Sequence, residues 1–281
     1  MSRNVLVTGT STGIGRSAAL ELAARGWRVF AGVRKEADGK SLLAELESAK
    51  GELHPVRLDV AKRDSILRVV EEIHAATAGQ LDGLVNNAGV YLGGPLELMT
   101  AEEIDLTYAV NVTGLLNLTR ACLPLLRAAK GRIVNVSSIS GLVALPGVSV
   151  YAGSKHAVEA ITDSLRVELA PFGVKVIAVE PGGVKTAIWD KGAERDQARR
   201  DDPEAATLRN LYGPLVSLLE KLNARPGGVT PETIAAEIIT ALEASRPRNR
   251  YLVGADAKAL ALLNRLPEGL RDRAIARKIW R

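Results

Sequence analysis

Residues 5–15 read VLVTGTSTGIG. The Val-Leu-Val run suits a strand buried on both faces, and the glycines after it suit a sharp turn. From Gly13 to Arg25 the apolar residues take up a helical period. Strand, glycine turn and helix N-terminus, in that order, form a phosphate-binding junction. The glycines admit a pyrophosphate close to the backbone, and the helix end aims its free N–H groups at it. Gly9, Gly13 and Gly15 are spaced G-x3-G-x-G, unlike the commoner G-x-G-x-x-G fingerprint.

The same rhythm runs along the chain. Short Val/Ile/Leu-rich runs mark strands at Asn4–Thr8, Arg28–Val33, Leu53–Leu58, Gly83–Asn86, Arg132–Ser137, Val174–Glu180 and Arg250–Val253. Amphipathic stretches at Gly13–Arg25, Ser41–Lys50, Asp64–Thr77, Ala101–Ala129 and Val150–Pro171 mark helices between them. Strands that lack alternation and are separated by helices predict an α/β fold. That fold is a Rossmann-type doubly wound, seven-stranded parallel sheet with helices on both faces, in one domain spanning 1–281. Two segments depart from the rhythm. Residues 186–225 are charged, carry a helix at Pro203–Leu222, and are long enough for a substrate lid. Residues 256–281 form a basic amphipathic helical tail, which packs on its own domain or on a partner subunit. A peripheral contact with anionic lipid is the less favoured reading of that tail.

Composition narrows the functional classes. Hydrophobic residues are 47% and charged residues 25% of 281, an ordinary globular profile. The net charge of +5 comes from 37 basic and 32 acidic residues that are mostly interleaved, and aromatics are only 4%. Nucleic-acid binding is therefore not expected. Cys122 is the only cysteine, so neither an internal disulfide nor a cysteine-rich zinc site is expected, and no metal site is predicted. No apolar run reaches the roughly 18 residues of a membrane span, and the first strand begins almost at once, so a cytoplasmic location is expected.

The end of the second strand bears on the cofactor. An acid there would hydrogen-bond the adenosine ribose of NAD. The sequence instead reads VFAGVRK, with Val33 followed by Arg34, and an arginine suits a 2′-phosphate. NADP(H) is the preferred cofactor and NAD(H) the second. Further along, LDV at Leu58–Val60 and NNAG at Asn86–Gly89 end the third and fourth strands, where ligands bind in open α/β sheets. YAGSK at Tyr151–Lys155 places a phenol and an ammonium four residues apart on one helix face. A cation that close favours phenolate, which predicts a lowered Tyr151 pKa and a group able to give and take a proton.

Together, TGTSTGIG, NNAG, Asn111 in NVTG, Ser138 in NVSSISG, YAGSK and PGGVKT resemble, in order and over nearly the whole chain, the short-chain dehydrogenase/reductase family. The likeness is to its single-domain branch. VFAGVR, EPGGVKT and RYLVGADAKAL are similar to the members around estradiol dehydrogenase type 1 and the retinol dehydrogenases. The resemblance implies Tyr151 as the acid in carbonyl reduction and the base in alcohol oxidation. It also implies Lys155 as the group that lowers its pKa and holds the nicotinamide ribose, Ser138 as the residue holding the substrate oxygen, and Asn111 as the anchor of a proton relay. Ser137, next door, has the less fitting spacing. The cofactor-binding set it implies is Gly9, Ser11, Thr12, Gly13, Ile14, Gly15, Arg34, Asp59, Val60, Asn87, Ala88, Gly89, Tyr151, Lys155, Pro181, Gly182, Val184 and Thr186. Thr12 stands where many NADP-using members carry a basic residue, which leaves Arg34 nearly alone.

Ser138, Leu145, Tyr151 and Trp189 are the expected substrate contacts. Apolar residues around them, including Tyr91, Leu92, Leu96, Leu142, Val143 and Val148, suit a lipophilic ketone, aldehyde or alcohol of steroid, retinoid or lipid type. Two alternatives stay open: a non-catalytic NAD(P)-binding regulator, whose hallmark would be a lost Ser, Tyr or Lys, and an NAD-dependent alcohol dehydrogenase of the same fold. Pairing of the helices through Asn111 and Tyr151 implies a homodimer or homotetramer.

Overall fold

The computed structural model describes residues 3–46, 50–185, 203–224 and 228–280. Seven parallel strands form one sheet in the order β3-β2-β1-β4-β5-β6-β7. They are β1 (Asn4–Thr8), β2 (Arg28–Val33), β3 (Glu52–Arg57), β4 (Gly83–Asn86), β5 (Arg132–Val136), β6 (Lys175–Pro181) and β7 (Arg250–Val253). The winding reverses between β1 and β4, which opens a crevice at their carboxyl ends. Every strand expected from the sequence is present, because a strand buried on both faces leaves an uninterrupted apolar run. Pro55 lies in β3, where the missing N–H is tolerated because β3 is an edge paired only with β2.

Helices cover both faces. On one side α1 (Gly13–Ala24) and α9 (Pro231–Glu243) bury Ala18, Leu22, Ile234 and Ile238 against Val5, Val29 and Val134. On the other, α3 (Arg63–Thr77) and α5 (Leu115–Ala129) bury Ile66, Ile73, Leu118 and Leu126 with Leu6, Leu84 and Ile133. Burying such side chains contributes about 1.5–3 kcal/mol each, so these two layers hold the sheet.

Several helices differ from the expectation. The helix after β2 is α2 (Glu36–Ala44), earlier than Ser41–Lys50. Gly39 lies inside it, where an added Cβ would come within 2.8 Å of Pro55. The stretch Pro203–Leu222 is two helices, α7 (Pro203–Leu211) and α8 (Gly213–Ala224), parted at Tyr212 just before Gly213 and Pro214. The tail likewise divides into α10 (Ala255–Leu263) and α11 (Glu268–Ile279), with Pro267 before the second. Helix α9 was not among the expected helices, although Thr230 caps it and Pro231 sits at its first position.

Helix α4 (Ala101–Tyr108), a π-helical turn (Ala109–Gly114) and α5 form one continuous 29-residue run. By length and composition alone that run could cross a membrane. Here one face lies in the core through Leu118, Cys122, Leu125 and Leu126. The helix α6 (Ser149–Glu168) packs beside it, and between the two runs a buried polar strip. Asn86 on β4 donates to Thr119 (3.0 Å) and to Asn135 (2.9 Å), and Asn135 on β5 donates to Thr162 (2.8 Å). Each amide is satisfied inside the core, as burial requires.

Candidate functional site

The glycine turn joins β1 to α1 at the crevice. Gly9 has φ of 69°, and an added Cβ there would lie 3.0 Å from the Ala88 backbone. At Gly15 it would collide with Asn87 and the Gly9 carbonyl. Two neighbouring loops are thus tied together at the backbone, and Thr8 and Asn87 complete the tie. Asn87 donates through Nδ2 to the Thr8 carbonyl (2.8 Å), while the Thr8 hydroxyl accepts from the N–H groups of Asn87 (2.9 Å) and Ala88 (2.8 Å). Thr12 precedes α1 with an extended backbone and makes no side-chain cap, so the first N–H groups of the helix remain available to an anion. This is a cradle that fits a dinucleotide pyrophosphate.

Around it stand the other residues expected to bind cofactor. Ser11, Gly13 and Ile14 belong to the turn. Arg34 follows β2 as an exposed side chain that makes no hydrogen bond or ion pair among the described residues. Asp59 and Val60 follow β3; Asp59 accepts from the Ala61 N–H (3.1 Å) and Val60 is buried. Gly89 follows β4, and an added Cβ there would approach Asn111 and the Lys155 ammonium. Pro181 ends β6, and Gly182 and Val184 follow it. Thr186 and Trp189 lie outside the described residues.

Two residues that sequence reasoning missed border this cradle. Arg16, on α1, donates to the Ser11 carbonyl (3.3 Å) and pairs with Glu45, putting a cation beside the turn although Thr12 is neutral. Asp256, at the start of α10, accepts from the Gly183 N–H at 2.6 Å and so fixes the Gly182–Val184 loop from the tail. The signal for Asp256 was present in the motif RYLVGADAKAL, but only the fold brings it to the loop.

Tyr151, Lys155, Ser138 and Asn111 converge at the ends of β4 and β5. Helix α6 carries Tyr151 and Lys155 one turn apart, with the ammonium 5.7 Å from the phenol ring centre. The Lys155 ammonium is buried and donates to the Val136 carbonyl at 2.9 Å. The expected lowering of the Tyr151 pKa does not appear. Burial pushes the phenol up to about 12, and the hydrogen bond from Ser138 recovers only part of that. Burial also brings Lys155 down to about 8, against the pull of Glu159. Desolvation therefore outweighs the mutual effect of the pair, as it does for enclosed ionisable groups.

Ser138 is extended at the start of a single 3₁₀ turn (Ile139–Gly141), and its hydroxyl accepts from the Ser140 N–H at 3.1 Å. Of the two serines, it is Ser138 that acts on the Tyr151 phenol, drawing its pKa back part of the way. Asn111 sits in the π-helical turn. Its amide is held by the Val90 backbone on both sides (2.8 and 2.9 Å) and donates to Ser154 (3.0 Å). A π-turn inserts an extra residue that re-aims one side chain, a common device at functional sites.

A cleft opens beside Tyr91, whose ring packs on Tyr151. Tyr91, Pro95, Leu98, Val216 and Leu219 give it apolar walls, and the Arg209–Glu220 ion pair (2.7 Å) lies on its α7–α8 side. Leu145 is not among the lining residues; it packs on the small cluster of Ile139, Val143 and Ala257. Among the described residues no cluster of His, Cys, Asp and Glu could hold a metal ion.

Comparison with known proteins gives concordant likenesses. The family model described as short chain dehydrogenase matches residues 3–197. An NADPH-dependent 3-dehydrocapnine reductase from Ornithobacterium rhinotracheale is 36% identical, over 89% of this chain and 88% of its own. Human retinol dehydrogenase 16 is 37% identical, over 95% of this chain and 86% of its own. Among solved structures, a short chain dehydrogenase from Burkholderia cenocepacia in complex with NADP superposes with a TM-score of 0.73. It is 28% identical and covers 97% of each chain.

Proposed function

The chain belongs to the short-chain dehydrogenase family, and from that premise we propose that it is an NADPH-preferring oxidoreductase that interconverts a lipophilic ketone or aldehyde with its alcohol. The observation that carries this reading is the meeting of Tyr151, Ser138 and Lys155 beside the glycine cradle, next to an apolar cleft. Arg34 supports the choice of NADPH, as an exposed guanidinium at the end of β2 without a partner among the described residues. The relatives support it too: one is named an NADPH-dependent reductase, and a structural neighbour was solved with NADP.

When bound, the nicotinamide supplies or accepts the hydride. In reduction, Tyr151 would give its hydroxyl proton to the carbonyl oxygen, completing the alcohol. Ser138 holds that oxygen by a hydrogen bond that strengthens as it gains alkoxide character. The Lys155 ammonium supports the tyrosinate that remains, and Asn111, in reach of the same pocket, keeps the loop at Val90 in place. Gly9, Gly13 and Gly15 would cradle the pyrophosphate, and Gly182 and Val184 would border the nicotinamide. The walls formed by Tyr91, Leu98 and Leu219 favour a lipophilic body. We also propose a homo-oligomer formed through α5 and α6. Leu116 is exposed there, whereas Leu115 and Leu118 serve the chain's own core.

Parallel fluorescence titrations with NADPH and NADH, followed by a screen of steroid, retinoid and fatty ketones, test the reading. Tighter NADPH binding with turnover of a lipophilic ketone is expected. Failure to bind either nucleotide would overturn it.

A further inference from the structure

Beside Lys155 lies a charge cluster, buried at its two glutamates, that the reaction does not use. Glu159 follows Lys155 by one helical turn on α6 and is 6% exposed; Glu180, on β6, is 2% exposed. Arg250, on β7, donates from one nitrogen to both carboxylates. From its other nitrogen it holds Asp163 in a fork, at 2.7 and 2.8 Å. Arg166 pairs with Asp163 from the far side. The groups facing Glu159 are thus Lys155, Asp163 and Arg166 from α6, Glu180 from β6, and Arg250 from β7.

Two details make this cluster more than a structural ion pair. One is the placement of two carboxyl groups on a single guanidinium nitrogen, inside the protein. Like charges that close do not both ionise readily. The other is its reach into the site. An added Cβ at Gly141 would lie 2.9 Å from the Lys155 carbonyl, 2.9 Å from Ser137 Oγ and 3.0 Å from Glu159 Cγ. The turn that begins at Ser138 therefore packs directly on the Glu159 stem. Ser137 Oγ and Glu159 Oε1 are also both buried without a hydrogen-bond partner among the described residues.

We propose that Glu159 and Glu180 hold one proton between them, and that Glu159 is a positioning residue that fixes both the charge on Lys155 and the Ser138 turn. With one proton on the pair, a single negative charge stands beside Lys155 and offsets part of the cost of burying its ammonium. Loss of that proton adds a second negative charge to the cluster and holds the ammonium more firmly. Glu180 is the member that retains the proton: burial and the neighbouring Glu159 push it up to about 7.

Side-chain NMR of protein carrying 13C at Glu Cδ and Lys Cε tests the proposal without any substrate, so its outcome is separate from that of the substrate class proposed above. In the parent, one carboxyl should titrate near pH 7, against about 4.3 for an ordinary glutamate. E180Q should abolish that transition and E159Q should move it to lower pH. Lys155, assigned by its loss in K155R, should titrate near 8 in the parent and at least about half a unit lower in E159Q, with a smaller displacement in E180Q. The parent titration needs no substitution. If E159Q does not fold, E159D, which withdraws the charge by one methylene, should give the smaller downward displacement of Lys155. A parent in which every carboxyl titrates below about 5.5 would overturn the shared proton. A Lys155 midpoint unchanged in E159Q, or moved equally by both variants, would overturn the positioning role.

Discussion

The Tyr91 ring meets the Tyr151 ring edge-on, with centroids 5.0 Å apart and planes 75° from parallel. Tyr91 also lines the cleft, so one ring both walls that space and packs on the Tyr151 phenol. Such an aromatic pair is worth about 0.5–1.5 kcal/mol beyond its area. Y91A should therefore lower kcat roughly 3- to 10-fold on a given ketone, whereas Y91F, which keeps the ring, should stay within about twofold. Steady-state kinetics of the two variants on one substrate checks this. Equal losses would assign the effect to the Tyr91 hydroxyl instead.

Buried Lys155 costs the fold stability at neutral pH. Its pKa is brought down to about 8 from an unfolded value of about 10.5. Between those two values the folded chain sheds its proton before the unfolded chain does, so stability from this group rises as pH climbs from about 8 to about 10.5. Substitution K155M removes the titration. It should be relatively more stable than the parent at pH 7, with the gap closing towards pH 10.5, and it should lose nearly all activity. Urea midpoints at a series of pH values would reveal the trend, and a gap independent of pH would refute it.

The proposed 2′-phosphate role of Arg34 predicts a split between the two cofactors. Removing its charge should weaken NADPH binding by roughly 10- to 100-fold, in keeping with a charge-assisted contact of about 1.5–3 kcal/mol, and leave NADH within about twofold. Titration of R34A with each nucleotide measures both. An equal loss for the two would place Arg34 outside the 2′-phosphate site and transfer attention to Arg16.

Asp256 reaches the Gly182–Val184 loop from the tail. Its 2.6 Å hydrogen bond from the Gly183 N–H is exposed, so its loss should be modest. D256A is expected to raise the NADPH dissociation constant about 3- to 10-fold with little change in thermal stability, and D256N to recover part of that. Isothermal titration of both variants, with melting curves alongside, separates a loop effect from general destabilisation.

Much of this architecture was legible from residue order. All seven strands were, because burial on both faces leaves an apolar run that survives any tertiary context. Helix boundaries were less so. The start of α2 holds Gly39, a weak helix former whose close fit against Pro55 appears only in the fold, and the turn at Asn111 has no local signature because a π-turn is a matter of one inserted residue. Tyr151, Lys155 and Ser138 could be picked out by motif, and the fold brings them together. The direction of the Tyr151 shift could not, since spacing reveals the nearby cation and says nothing of the solvent removed. Arg16, Asp256 and the Glu159–Glu180 pair depend on contacts between residues up to 91 positions apart, which no local pattern carries.

The strip of Asn86, Thr119, Asn135 and Thr162 has a consequence for how such a chain diversifies. Each amide there has a fixed partner, so neither α5 nor α6 can slide along the sheet without stranding a buried polar group. The cleft walls on α7 and α8 contribute nothing to that lock. Side chains on α7 and α8, unlike Tyr91, can therefore change without disturbing the register in which α5 and α6 hold the sheet.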